Sequence, residues 1–161
     1  MNLLDLIRNG GLYESQAEDK GIFFRECYEK LYPLHYVTKD FLKAIEERER
    51  EYPTGIQGEI CNVALPHVEA KYVEKNALFI FRLKHALPFV RMDKHEETIH
   101  VNYIFLLLIS DLQFHVKAIS ELTHIWTDDD IMKGLSVVQN GEELLLLLEK
   151  KWKKTCERRK E

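Results

Sequence analysis

The chain has no surplus of positive charge. Its 23 Lys and Arg are outnumbered by 27 Asp and Glu, for a formal charge of −4 and a pI near 6.0. Neutralising phosphates along a duplex requires a basic face, so the composition argues against a nucleic-acid binder. Long hydrophobic runs are also missing. The longest, Ile104–Ile109 and Leu144–Leu148, fall far short of the roughly 20 residues that span a bilayer, and no membrane insertion is expected. The first residues, Met1–Asp5, carry no basic n-region or cleavage signal, which argues against secretion. Cysteine is scarce: Cys27, Cys61 and Cys156 are odd in number and widely spaced, without a Cys-x-x-Cys. Neither a zinc knuckle nor a thioredoxin-like site is indicated. Each is expected to be a small core or surface residue of a reducing compartment, read here as the cytoplasm. The nucleotide-binding signatures Gly-x-x-x-x-Gly-Lys-Ser/Thr and Gly-x-Gly-x-x-Gly are absent, as is Gly-x-Ser-x-Gly.

What is present reads as one soluble domain over 1–161, long enough to bury a substantial core. The opening apolar residues Leu3, Leu4, Leu6 and Ile7 form either an edge strand or a single helical turn before Gly10 and Gly11. Ser15 and Glu18 have capping-box spacing, which predicts a helix whose stripe is Phe23, Phe24, Cys27, Tyr28 and Leu31. Thr38 is the expected N-cap of a second helix, with Val37 and Leu42 as a hydrophobic staple. Stretches 76–83 and 101–109 are apolar on both faces, the mark of central strands, and 87–90 reads as another strand. Ser110 and Gln113 offer a further capping box. Short and long helices are expected over 128–135 and 142–152, the longer with Leu144, Leu145, Leu148 and Trp152 inward and a basic end that includes Lys154. Central strands interleaved with helices predict an α/β layered fold.

The chemistry is expected around Tyr52–His67. Pro53, Thr54 and Gly55 read as a turn, with glycine supplying a left-handed corner. Val63, Ala64 and Leu65 read as a short strand that stops at Pro66 and leaves His67 held at its end. In the second helix Phe41, Ala44 and Ile45 face inward, and Arg48, about two turns beyond Phe41, continues that line. A buried guanidinium needs an anionic partner, either a structural carboxylate or a ligand. The surrounding run 46–51 reads as a solvated helix end laced with ion pairs. His115 shares a helical line with Ile119, Leu122 and Trp126 near a helix N-terminus. A histidine on such a face is ordinarily a hydrogen-bonded core residue. His95 and His100 are one residue too far apart for the zinc-protease helix motif, so no metal is expected there. His35, His85 and His124 stand singly and are read as surface or packing residues.

The set Glu47-Arg48-Glu49, Pro53-Thr54-Gly55, Ala64-Leu65-Pro66-His67 and Phe114-His115-Val116 resembles the fructose/mannitol-type enzyme IIA domains of the bacterial phosphoenolpyruvate-dependent sugar phosphotransferase system. The similarity runs over residues 18–152. It implies a mixed β-sheet flanked by helices on both faces, in agreement with the pattern reading. It further implies that His67 accepts a phosphoryl group from the histidine-containing phosphocarrier protein. His67 would then pass the group to a cysteine of an enzyme IIB, and through it to the membrane enzyme IIC. Arg48 matches the arginine that neutralises the phosphoryl oxygens, and His115 matches a second active-site histidine. Thr54 and Glu49 are candidate supports for the loop. No cofactor is called for. The transported sugar is bound by the membrane component in this system, so its identity is not written in this chain.

Two departures from the family pattern stand out. The link 56–63 is longer and less glycine-rich than is common, which resembles the galactitol-type branch. Val68 occupies a position where a small or hydroxyl residue is usual. A regulatory module, whose phosphorylation at His67 controls binding to another protein, is the alternative that the same residues allow.

Overall fold

The computed structural model describes residues 1–160, with side chains over 1–153; the readings of Cys156 and Lys154 lie outside the described side chains. The two doubly apolar stretches form its centre. Strands β4 (Ala77–Val90) and β5 (Thr98–Leu108) pair antiparallel. Side chains alternate between the faces of a strand, so each strand feeds two cores. Leu78, Ile80, Phe105 and Leu107 point to one, while Phe79, Phe81, Ile104, Leu106 and Leu108 point to the other. Both faces are covered, which is why neither strand alternates in hydropathy. The stretch 87–90 is the far half of β4 rather than a separate strand. A register irregularity between Arg82 and Leu87 interrupts the apolar pattern there and imitates a strand end.

Three short strands complete a mixed, five-stranded open sheet. β1 (Gly11–Ser15) runs parallel to β4, β3 (Val63–Ala64) runs parallel to β5, and β2 (Gly55–Ile56) pairs antiparallel with β3. The order is β1-β4-β5-β3-β2. The opening residues supply both structures that the sequence allows: helix α1 (Leu3–Asn9), closed by a capping box between Asn2 and Asp5, and then β1. Gly11, at φ +125°, makes the join in a conformation that glycine favours.

Helices cover the two faces. α1, α4 (Leu112–Trp126), α5 (Asp129–Leu135) and α6 (Gly141–Lys160) lie on one. On the other are α2 (Lys20–Leu31) and α3 (Phe41–Glu51). Several caps differ from expectation. Asp19, not Ser15, caps α2, accepting the Ile22 N–H at 2.7 Å. Ser15 ends β1, and its hydroxyl accepts the Ala17 N–H instead. Asp40 occupies the N-cap of α3 without a side-chain bond, and the Thr38 hydroxyl has no partner among the described residues. Asp111 rather than Ser110 caps α4. No helix among the described residues is long and apolar enough to cross a membrane.

Candidate active site

Two parallel neighbours in the sheet deliver two histidines to one place. Beyond β3 the chain runs through Leu65 and Pro66 to His67, which still bridges Leu107 of β5 in parallel register. Pro66 ends donation to the ladder, yet its carbonyl accepts the Leu107 N–H at 3.2 Å. The chain therefore stays extended past the residue expected to stop it. Just past the carboxyl end of β5, Asp111 starts α4, and its first turn carries His115. Open α/β sheets characteristically hold their sites outside the carboxyl ends of strands. The two imidazole centroids lie 5.0 Å apart with planes inclined at 59°.

His67 is half-buried and directed by its own backbone. Nδ1 lies 2.7 Å from the Leu65 carbonyl oxygen. A carbonyl can only accept, so Nδ1 carries the hydrogen and Nε2 keeps an unshared pair. Burial is the largest cause of a His67 pKa below the usual 6.5; the Leu65 bond opposes it, while His115 and Arg48 reinforce it. His115 is lowered too, by burial first and the Arg48 charge second. Both rings are thus biased to the neutral, nucleophilic form at neutral pH.

Arg48 comes from α3, on the opposite face of the sheet from α4. Phe41, Ile45 and Glu49 are the buried line of that helix, and Arg48 lies half-buried beside it. Its guanidinium carbon sits 4.6 Å from the ring centroid of Tyr52, one turn further on. It takes part in none of the ion pairs found among the described residues. Its Nε is buried and has no hydrogen-bond partner among the described residues. Of the two partners that the sequence allows, a structural carboxylate is not the one found.

Glu49 corrects the reading of 46–51 as a solvated end, because it is only 4% exposed. Its carboxylate accepts the Thr54 N–H at 2.9 Å and the Thr54 hydroxyl at 2.8 Å. Burial pushes its pKa up to about 7, with the two Thr54 bonds and then Lys20 opposing. Thr54, itself buried, also receives the Leu65 N–H on its hydroxyl oxygen at 3.2 Å. Gly55 is needed for closeness, not for the left-handed corner that the turn pattern predicts: a Cβ there would sit 2.7 Å from the Val90 carbonyl oxygen. Val68 is buried in the core shared with α2 and α3, and the Nδ1 acceptor is a backbone group. No hydroxyl is required after His67.

His67, His115 and Arg48 therefore converge, with Thr54 and Glu49 behind the imidazole on the Leu65 side. The long link 56–63 is pinned to β5, the Asn62 amide donating to the His100 carbonyl at 3.1 Å. It borders a cavity of about 480 Å³ with Arg91, Trp126 and Met132, none of whose lining residues belongs to the histidine pair. No group of three or more His, Cys, Asp or Glu among the described residues could hold a metal ion. Two contributors were not identified from sequence. Tyr52, four residues after Arg48, had a signal in that helical spacing. The Leu65 carbonyl had none, since side-chain patterns do not mark a backbone acceptor.

Three comparisons with known proteins bear on this geometry. The family model described as "Phosphoenolpyruvate-dependent sugar phosphotransferase system, EIIA 2" matches residues 12–151. The galactitol-specific EIIA component of Escherichia coli strain K12 is 28% identical over 93 residues, which cover 58% of this chain and 61% of that relative. The chain thus matches about three-fifths of that relative's length. Among solved structures, Escherichia coli mannitol enzyme IIA, in complex with phosphorylated enzyme IIB, shares the fold with a TM-score of 0.66. It is 19% identical, with 86% of this chain and 93% of that chain covered. Nitrogen regulatory protein IIA-Ntr from Neisseria meningitidis does so with a TM-score of 0.67 and 24% identity, with 85% and 91% covered.

Proposed function

The chain belongs to the EIIA type 2 family of the phosphoenolpyruvate-dependent sugar phosphotransferase system, and from that premise we propose that it is a phosphotransferase component working in the cytoplasm. Its acceptor is Nε2 of His67. The observation that carries this reading is an imidazole tied back through Nδ1 to the Leu65 carbonyl, near a guanidinium that has no ion-pair partner among the described residues.

The Nε2 pair of His67 attacks the phosphorus carried by the histidine-containing phosphocarrier protein. The new N–P bond forms as the donor's N–P bond breaks, and the donor imidazole keeps that electron pair. Arg48 supplies charge and a planar fork to the phosphoryl oxygens, and His115 supplies a ring N–H. In the second transfer a cysteine thiolate of enzyme IIB attacks the same phosphorus and the electron pair returns to Nε2. Such transfers need positioning and charge stabilisation above all. The long link 56–63 and the galactitol-specific relative favour a galactitol-type pathway.

Incubation with phosphoenolpyruvate, enzyme I and the phosphocarrier protein is expected to leave an acid-labile label that His67→Ala abolishes. Full labelling of His67→Ala would refute the assignment. The labelled protein should then discharge to a galactitol-type IIB cysteine. Retention of the label against every IIB tested would instead favour a regulatory module, the reading supported by the fold shared with the nitrogen regulatory protein.

A further inference from the structure

We propose that Glu49 and Thr54 are positioning residues that select the reactive tautomer of His67 by holding Leu65 in place. The inference deepens the function proposed above and rests on it. Both described hydrogen bonds to Glu49 come from one residue, the N–H and hydroxyl of Thr54. A hydroxyl has one hydrogen to give. Committed to the carboxylate, it leaves its oxygen free to accept, and the Leu65 N–H arrives there at 3.2 Å. The same N–H reaches the Thr54 carbonyl at 3.3 Å, so Leu65 is clasped from two sides of one residue.

Leu65 then presents its own carbonyl to His67 Nδ1. Pro66, the residue between them, has a fixed φ and no N–H, and its carbonyl is held by Leu107. Little slack remains between the carboxylate and the imidazole. The polarity of the relay needs the ionised form of Glu49. A protonated carboxyl would donate to the Thr54 oxygen and compete with Leu65 for it. Burial works against the ionised form, while the two Thr54 bonds and then Lys20, at the start of α2, favour it. A buried carboxylate is a costly way to pin a loop, and a polar network that directs a catalytic ring gives it a use.

The test is the nitrogen NMR spectrum of the His67 ring in the unphosphorylated protein, paired with the rate of phosphoryl acceptance. Wild type should show Nδ1 protonated and Nε2 bare. Thr54→Val keeps the shape and removes the relay hydroxyl. It should give a mixture of tautomers and a rate lower by about tenfold, and Thr54→Ser should return both to within about twofold of wild type. A folded Thr54→Val protein with the wild-type tautomer and rate would overturn the proposal. If Thr54→Val does not fold, Glu49→Gln takes its place: a shift of tautomer supports the relay and an unchanged ring overturns it. The tautomer is read without any phosphoryl donor. Failure of wild-type labelling would therefore sink the assigned function separately from this result.

Discussion

Arg48 is a cation kept half out of water, with its guanidinium over the Tyr52 ring and its charge felt by His67 and His115. The buried Nε has no hydrogen-bond partner among the described residues. That arrangement contributes little to folding and suits an anion that comes and goes. Arg48→Lys retains the charge but loses the planar fork. Phosphoryl acceptance should fall by about a hundredfold in a rapid-quench assay, with a change in unfolding free energy below about 1 kcal/mol. Glu49 behaves in the opposite way, as a buried anion whose pKa is raised from 4.5 to about 7. Its native form binds a proton more readily than the unfolded chain. Its stability contribution is therefore full below pH 4.5 and is lost as pH rises through about 7. Relative to Glu49→Gln, wild type should lose on the order of 3 kcal/mol across that window, measured by urea unfolding at several pH values. His67 and His115, with lowered pKa values, act with the reverse sign below pH 6.5, so the comparison with the variant is what isolates Glu49. At this scale the position of His67 just past Pro66 is legible in the sequence, whereas Arg48, expected on the line of Phe41, lies half-buried beside a line that Glu49 completes. Glu49 enters the sequence reading only as a candidate support drawn from the resemblance. Its burial is not legible in a run of charges, because it depends on Thr54 folding back over the end of α3.

The elements show why sequence patterns placed helices well and their edges poorly. The stripes of α2 and α4 repeat over several turns, and that redundancy makes them visible. A cap is a single residue: Ser15 matched the capping-box spacing, but the side chain that caps α2 is that of Asp19, with no glutamate three residues on. Strands β2 and β3 are two residues long, too short for any period, and they exist because β5 and the 90–92 backbone pair with them. Gly55 is the point where β2 meets Val90 most closely. Gly55→Ala should push β2 away and cost about 1–3 kcal/mol, read as a lowered melting temperature. Because Thr54 adjoins β2, the same variant should also slow phosphoryl acceptance.

Across the whole molecule, the sheet separates two apolar cores, and the site lies where the layers meet. Arg48 comes from α3 on one face, His115 from α4 on the other, and His67 from the sheet between them. The two-faced architecture was readable in β4 and β5, since strands apolar on both sides must be covered on both sides. The strand order was not, because the pairings of β1 with β4 and β3 with β5 join residues far apart in the chain. The parallel register of β3 with β5 is what sets His67 and His115 5.0 Å apart. The resemblance carried by residues 18–152 anticipated the family that the match over 12–151 establishes.

At this junction Nε2 of His67 is the proposed phosphoryl acceptor. The most direct test is a combined phosphorus and nitrogen NMR spectrum of the isotope-labelled protein after reaction with the phosphocarrier protein. A single phosphorus–nitrogen coupling to Nε2 of His67 is expected, with Nδ1 still protonated against Leu65. A phosphoryl group on Nδ1 of His67, on His115, or on neither ring would contradict it.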